Sequence, residues 1–499
     1  MMRIRKELAM RGKHRDYVRI EGAALLILAA AMVIPFILAL FYREKSSSIG
    51  FGTVIGFCLL AGVLIRIIIK PSPDKFKSRD GFFVVSLTWL VCSLVGAAPF
   101  MISGAIPGFA DALFESCSGF STTGASILTD IEAMPRSILF WRSFTHWLGG
   151  MGIIVFVMAI LPALGISGQM VAYAETPGPI KDKVTARFSD TAKGLYRLYI
   201  GLTAAEVILL KFGGMNWYDA FVHTFGTVGT GGFSSYNASI AHFTSPYIQI
   251  VIIVFMVLAG MNFNLYYVGI IQKHGLKTIF RDDETKFYLS AMGIATLAIF
   301  IYNNIMDGFR DAGHTLLSAA FQVASITTTT GYATDDFDLW PTFSRMVIFA
   351  MFFFGGCSGS TGGGIKCVRM LVCMKLLRRS FSLKVHPNRV IPLSLNGKEL
   401  SSDVIIKITN FIFTYVAVLF TGTLLLSFDN MDFISTLSAT ASCLGNIGPG
   451  FNLVGPTMNY AALTDFSKFV CSFLMIAGRL ELFTVFTLFS RHYWNSNRV

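Results

Sequence analysis

Apolar residues along this chain form stretches long enough to cross a lipid bilayer, separated by short polar segments. A helix needs about 20 apolar residues to span a bilayer core, and ten stretches reach or approach that length. Shorter segments that end in glycine lie between the members of the later pairs. The predicted spans are residues 22–42, 49–69, 82–103, 138–160, 192–212, 246–271, 287–305, 343–376 with an interruption, 404–428 and 464–490.

Four of the shorter segments share one pattern and recur at intervals of about 100 residues, the period of a two-helix unit with loops. They read DALFESCSGFSTTG, DAFVHTFGTVGTGG, SAAFQVASITTTTG and STLSATASCLGNIG. Their first residues are types that cap helix N-termini. We therefore predict four short helices, each leading into a polar turn. The predicted N-caps are Asp111, Asp219, Ser318 and Ser435, and the turns contain Gly124, Gly232, Gly331 and Gly448.

Non-helical backbone at membrane depth is tolerated only where it lines a watery cavity or is buried in protein. Glycine allows the backbone angles that aim successive carbonyls to one side, and the C-terminal end of each short helix carries partial negative charge. Four such turns around one axis would form a ring of carbonyl oxygens able to replace the hydration shell of a cation. The alternative is that these glycines only allow close helix packing.

Composition agrees with a membrane protein, because 54% of the residues are hydrophobic and only 14% are charged. Lys and Arg concentrate in the N-terminal leader and in the loops 70–79, 181–187, 273–281 and 378–398. The positive-inside rule makes these segments cytoplasmic. Both termini are then inside, and the four turns open outward. The net charge of +12 is thereby explained, which leaves little support for nucleic-acid binding. The eight cysteines show no paired CxxC spacing and are interpreted as reduced thiols without a metal role.

The predicted fold class is an all-α membrane protein with four parallel helix–pore-helix–helix repeats around a pseudo-fourfold pore, plus an extra N-terminal pair of transmembrane helices. The predicted boundaries are a leader with two extra helices at 1–80 and pore repeats at 81–160, 190–275, 284–380 and 400–491.

Isolated polar and charged residues inside the predicted spans and in the first short helix are candidate functional residues, yet each also has a structural explanation. Glu115 would either attract cations or be a buried carboxylate satisfied by nearby donors. Glu206 and Lys211 are better explained as structural tethers. His146 stands without a second histidine at helical spacing, so it predicts no metal site.

The third repeat contains GGCSGSTGGGIK, residues 355–366, inside a span. Each glycine costs a helix about 1 kcal/mol relative to alanine, so residues 355–364 should form a loop at membrane depth, beneath the ring. Two enzyme motifs fail here: a phosphate-binding loop would need lysine where Ile365 stands, and a hydrolase elbow around Ser358 would need glycine where Ser360 stands. The motif LAGMNFN predicts another break, at Gly260 and residues 262–264.

Arg479 lies well inside the last span, where an unpaired cation is costly. Glu481 is two residues further on and would face away from it. Arg479 should therefore either point into the pore or belong to a buried structural pair.

These motifs, together with WRSFTHWLGGMGI at 141–153 and AGRLELF at 477–483, resemble the Trk/Ktr/HKT superfamily of potassium transporters, and within it the bacterial TrkH branch. The resemblance covers nearly the whole chain and includes the extra N-terminal helix pair. The fourth turn departs from the hydroxyl-rich pattern of the first and third, because it carries Asn446 and Pro449.

The resemblance implies a single-chain counterpart of a tetrameric potassium channel in a bacterial inner membrane, with K⁺ as the transported ion. It also implies a homodimer surrounded by membrane lipids, which binds a cytoplasmic ring of TrkA-like nucleotide-binding subunits, while this chain itself binds no nucleotide. Some plant relatives have serine at the position of Gly124 and transport sodium, so the glycine here favours selectivity for potassium. The implied ion-binding residues, mainly through backbone carbonyls, are Thr122, Thr123, Gly124, Thr230, Gly231, Gly232, Thr329, Thr330, Gly331, Asn446, Ile447 and Gly448. The implied gating residues are Gly355, Gly356, Gly359, Gly362, Gly363, Gly364, Lys366 and Arg479.

Two rival functions remain open at this stage. Sodium- or proton-coupled potassium symport by rocking repeats is disfavoured because the repeats run parallel. An intramembrane enzyme is disfavoured because no nucleophile and base share one face of a span.

Overall fold

The computed structural model describes residues 2–70, 78–152, 188–272, 275, 277–308 and 311–490, and these segments are mostly helical. One antiparallel hairpin, β1 Ser394–Leu395 and β2 Lys398–Glu399, pairs Leu395 with Lys398. In chain order, the α-helices are α1 Met2–Phe41, α2 Lys45–Ile68, α3 Ser78–Ile102, α4 Phe109–Phe120, α5 Arg136–Gly150, α6 Phe188–Phe212, α7 Trp217–Val228, α8 Pro246–Ala259, α9 Phe263–Tyr266, α10 Lys277–Arg281, α11 Asp283–Asp307, α12 Ala312–Thr327, α13 Thr342–Met351, α14 Cys367–Val385, α15 Ser402–Leu426, α16 Phe433–Gly445, α17 Asp465–Arg479 and α18 Phe483–Phe486.

Within the described residues, five helices are long and apolar enough to cross a membrane, and two bent helix pairs raise the number to seven. All seven coincide with predicted spans. The predicted span 138–160 continues past residue 152 and so runs out of the described segments. The five single helices are Arg15–Phe41, Lys45–Ile68, Asp80–Ile102, Asp283–Met306 and Ser402–Asp429, and the bent pairs are Pro246–Ala259 with Phe263–Ile271 and Asp465–Arg479 with Phe483–Phe489.

The short helices α4, α7, α12 and α16 lie at the centre of the molecule, with most of their side chains buried. The long helices surround them and direct apolar side chains outward; Phe57, Leu60, Phe413 and Phe420 are all more than half exposed. This is the reverse of a soluble protein, because lipid tails accept an apolar surface that water would not. The polar and glycine-rich segments are therefore enclosed by protein.

The predicted N-caps of the four short helices, Asp111, Asp219, Ser318 and Ser435, are wrong, because each residue lies inside its helix. The observed N-caps are Gly108, Asn216, Asp311 and Asp432. Asn216 and Asp432 accept hydrogen bonds from the backbone N–H groups of Asp219 and Ser435, respectively. Asp111, Asp219 and Ser435 are each the third residue of their helix, where acidic and hydroxyl side chains are also favourable. Ser318 is the seventh residue, because α12 begins earlier than the pattern predicted.

Within the part of the chain that the structure describes, three predicted spans are interrupted near the centre of the molecule. The chain bends by 91° between α8 and α9, at the predicted break around Gly260. Residues 355–364 form a non-helical segment between α13 and α14, also as predicted, and we call it the intramembrane loop. The third interruption was not predicted: the chain bends by 106° after α17, where Glu481 and Leu482 adopt left-handed φ angles of 57° and 54°.

Candidate ion-conducting site

The four glycine turns are residues 121–125, 230–233, 329–332 and 446–450, and all four have the same backbone conformation. In each turn a left-handed residue is followed, two positions later, by a glycine with positive φ. The left-handed residues are Thr122, Thr230, Thr329 and Asn446, with φ between 55° and 59°, and the glycines are Gly124, Gly232, Gly331 and Gly448, with φ of 81°, 79°, 82° and 104°. Asn446 therefore replaces threonine without changing the shape of the fourth turn.

Each turn ends its short helix with the same pair of hydrogen bonds. In the first turn, the N–H of Thr122 donates to Gly119 O at 3.1 Å, and the N–H of Thr123 donates to Ser118 O at 2.9 Å. The second, third and fourth turns repeat both bonds at equivalent positions. This is the Schellman arrangement, which satisfies carbonyls at a helix C-terminus and reverses the chain direction.

The turns contact one another in a closed ring. A Cβ atom placed on Gly124 would collide with the carbonyl oxygen of Gly231 in the second turn. Gly232 stands in the same relation to Thr330 O, and Gly331 to Ile447 O. The ring closes where a Cβ on Gly448 would lie 2.7 Å from Thr123 O. All eight residues were among those implied as ion-binding, and the structure brings them together around one axis.

A buried ion pair supports the first turn from behind. Arg142 Nε lies 2.6 Å from Glu115 Oε1, and both side chains are almost fully buried. Glu115 also accepts a hydrogen bond from the backbone N–H of Ile127 at 3.0 Å. The guanidinium of Arg142 lies 4.0 Å from the centre of the Phe233 ring, which belongs to the second turn. Glu115 is thus a satisfied buried carboxylate, as the structural alternative held, but its partner Arg142 was missed.

His146 fills the space behind the first two turns. Its Nδ1 lies 2.8 Å from the carbonyl oxygen of Gly119, and its ring centre is 4.1 Å from that of Phe233. A side chain at Gly231 would collide with the imidazole. The histidine therefore fixes the position of the second turn by packing.

The intramembrane loop lies against the break between α8 and α9 and against the third turn. Cys357 N–H donates to Gly260 O at 2.8 Å, and Phe263 N–H donates to Gly359 O at 3.1 Å. Gly363 N–H donates to the Thr329 side-chain oxygen at 2.8 Å. A Cβ atom on Gly363 would also lie 2.7 Å from that of Asn446, so the loop contacts both the third and the fourth turn.

Lys366 ends the loop and folds back onto it. Its Nζ donates to the carbonyl oxygen of Gly362 and lies 3.4 Å from the Ser360 hydroxyl oxygen. The side chain is only 2% exposed, and the backbone has a positive φ of 72°. The ammonium group is thus held within the loop and does not extend to the surface of the protein.

Arg479 connects the loop to the first repeat. Its guanidinium donates to Thr361 O at 2.5 Å, to Gly149 O at 2.6 Å and to Gly150 O at 3.0 Å. The neighbouring Glu481 forms an ion pair with Arg369 at 2.6 Å. Arg479 is accordingly half-buried among backbone carbonyls that come from two different repeats.

A multi-pass helical membrane protein with four matched carbonyl-bearing turns around one axis has the architecture of a cation-transport protein. The model of the TrkH family, described as cation transport protein, matches residues 53–496 of this chain. The chain belongs to the TrkH family, and it is a transport protein, not an enzyme.

Its relatives match along almost their whole length. The Trk system potassium uptake protein TrkH of Salmonella typhimurium is 36% identical over 487 residues, which cover 96% of this chain and 99% of that protein. The Trk system potassium uptake protein TrkG of Escherichia coli K12 is 35% identical, over 95% of this chain and 97% of that one. The crystal structure of the potassium transporter TrkH from Vibrio parahaemolyticus is similar with a TM-score of 0.87 and 33% identity, over 97% of this chain and 100% of that chain.

Proposed function

We propose that this chain carries potassium ions inward across a bacterial plasma membrane, through a pore lined by the carbonyls of the four glycine turns. The observation that carries the proposal is the closed ring of contacts from Gly124 to Gly448, in which the α-carbon of each glycine faces a carbonyl of the next turn. Carbonyl oxygens arranged around an axis can replace the hydration shell of a cation. The printed names of the relatives, which are potassium uptake proteins, support the choice of ion.

In this proposal the ion is coordinated by backbone carbonyls of the three residues that end with the glycine of each turn. The C-terminal ends of α4, α7, α12 and α16 lead directly into the turns, so the partial negative charge of each helix end favours a cation at the centre. The membrane potential drives uptake, with about 2.3 kcal/mol per charge for each 100 mV.

The intramembrane loop and Arg479 form the gate of this pore. Arg479 donates hydrogen bonds to Thr361 of the loop and to Gly149 and Gly150 of the first repeat. These contacts support the role, because they hold the positively charged guanidinium against the loop. The glycines of the loop allow it to change conformation, and Lys366 adds a second positive charge. Potassium then passes when the loop and Arg479 move aside.

The remaining features of the proposal rest on the resemblance and on charge distribution. The pore repeats are residues 81–160, 190–275, 284–380 and 400–491, preceded by the extra helix pair in 1–80. Both termini are cytoplasmic, since the basic loops lie on their side of the membrane. The protein acts as a homodimer whose gate is controlled by a cytoplasmic ring of nucleotide-binding subunits.

The deciding experiment is ion flux into proteoliposomes that contain the purified protein, with a potassium gradient in one sample and an equal sodium gradient in the other. We expect potassium entry that increases with an inside-negative potential and exceeds sodium entry. Absence of any cation flux, even with the regulatory subunit and nucleotide added, would refute the proposal. Flux that follows a proton or sodium gradient at zero potential would favour coupled symport instead.

A further inference from the structure

Glu284 holds the intramembrane loop at two points. Its Oε1 atom accepts a hydrogen bond from the backbone N–H of Ser358 at 2.6 Å and another from that of Val368 at 3.1 Å. The two amides are ten residues apart, one within the loop and one in the first turn of α14. Glu284 itself is only 5% exposed. A single carboxylate therefore joins the loop to the helix that follows it.

The residues immediately before Glu284 are bound by the β-hairpin. Asn396 Nδ2 donates to Asp282 Oδ1 at 2.7 Å. The backbone N–H of Asp283 donates to Asn396 Oδ1 at 2.7 Å, and the N–H of Asn396 donates to Asp283 Oδ2 at 3.1 Å. The start of α11 is thus hydrogen-bonded on one side to the hairpin and, one residue later, to the loop.

The hairpin has a tight turn and is mostly exposed. Asn396 and Gly397 have φ angles of 51° and 73°, the conformation of a two-residue turn with positive φ at both positions. Lys375 fixes it to α14, since its Nζ lies 2.8 Å from Ser394 O and 3.3 Å from Asp283 Oδ2. Asn396 itself is exposed, so a bound protein can reach the residue that contacts Asp282 and Asp283.

We propose that Glu284 is a positioning residue that keeps the intramembrane loop in its closed conformation, and that the hairpin 394–399 controls the position of Glu284. The proposal rests on the gating role of the loop described above. Hydrogen bonds from backbone amides to a carboxylate are stronger than those between neutral groups. Displacing the loop from α14 breaks at least one of the two bonds, whereas a shift of the hairpin moves the start of α11 and weakens both.

Hydrogen–deuterium exchange of the full-length protein in detergent tests this without any flux measurement. Glu284→Ala should speed exchange at Ser358 and Val368 about tenfold or more, because the hydrogen bonds that protect these two amides are lost. Glu284→Asp has a shorter side chain and should lose at least one of the two hydrogen bonds, so exchange should be faster at Ser358 or Val368. This variant replaces Glu284→Ala in the test if the alanine variant does not fold. Glu21→Ala is the matched control, since Glu21 is a buried carboxylate bonded to Thr88, away from the loop.

The hairpin is tested with Asn396→Ala against Lys398→Ala, two exposed positions of the same turn region. Only the first should speed exchange at Ser358 and Val368. Equal exchange in the Asn396 and Lys398 variants would overturn the role of the hairpin. Unchanged exchange in both Glu284 variants would overturn the role of Glu284.

Flux then separates this inference from the proposed function. Glu284→Ala should raise basal potassium flux at least fivefold in proteoliposomes. If Arg479→Ala raises flux and Glu284→Ala does not, the inference fails. If exchange accelerates as expected and neither variant raises flux, the loop is not the gate, and the gating part of the proposed function fails while the contact of Glu284 with the loop stands.

Discussion

Replacing Arg479 with alanine tests the proposed gate most directly. The change removes a guanidinium that donates to Thr361, Gly149 and Gly150. A potassium ion passing at about 5 Å from this charge, in a medium of effective dielectric constant about 20, meets a repulsion of about 3 kcal/mol. Since about 1.4 kcal/mol corresponds to a factor of ten in rate, we expect the basal flux of Arg479→Ala to exceed that of the parent about 100-fold.

The assay is potassium entry into proteoliposomes at matched protein density, without a regulatory subunit. Arg479→Lys should give an intermediate flux, because lysine keeps the charge but cannot reproduce the planar set of donors. Arg345→Ala is the matched control; Arg345 forms a partly exposed ion pair with Asp338 at 3.1 Å and should leave the flux unchanged. A folded, monodisperse Arg479→Ala protein with flux equal to or below that of the parent would refute the reasoning and assign Arg479 a structural role.

Three further predictions concern the ring, its support and the loop. Gly331→Ala should abolish the preference for potassium over sodium, because its Cβ would collide with the carbonyl of Ile447. Gly293→Ala, where nothing lies within 4 Å of the added Cβ, is the control, and an unchanged permeability ratio in Gly331→Ala would contradict the expectation. Arg142→Ala should destabilise the folded protein by roughly 3–5 kcal/mol, measured by thermal unfolding, because Glu115 would keep a buried unpaired charge. The double variant Glu115→Gln with Arg142→Met should recover at least half of that stability, and an equal loss in the single and double variants would contradict this explanation. Shortening residues 359–363 should raise basal flux, and a variant that conducts like the parent would show that the loop is not the barrier.

Features of the fold that depend on local composition, such as spans, turns and breaks in helices, can be predicted from the sequence. The apolar runs predicted spans that coincide with the seven long or bent helices, and the matched glycines predicted four turns that are alike in φ. The glycine-rich stretch at 355–364 and the break at Gly260 were also predicted, because glycine disfavours helix wherever it occurs. The turn Asn396–Gly397 carries the commonest signal of a tight hairpin and could have been recognised in the same way.

What the sequence does not predict depends on contacts between distant residues. Arg142 follows Glu115 by 27 positions, and no spacing rule links the two. The bend after Arg479 involves Glu481 and Leu482, whose side chains do not favour left-handed angles. It is held by tertiary structure, with Leu482 fully buried and Glu481 paired with Arg369. Glu284 is, in the sequence, only an acidic residue at the start of a span.

The proposed gate departs from the fourfold pattern of the ring, because each repeat would contribute to it differently. The third repeat supplies the intramembrane loop, and the second supplies Gly260, whose carbonyl accepts a hydrogen bond from the loop. The first supplies the carbonyls of Gly149 and Gly150, and the fourth supplies Arg479. Four equal turns suit coordination of an ion on the axis, since each offers the same carbonyls. A single loop is suited to regulation, because the hydrogen bonds of that one loop then determine whether the ion pathway is open. A regulatory change therefore has to act on that loop alone.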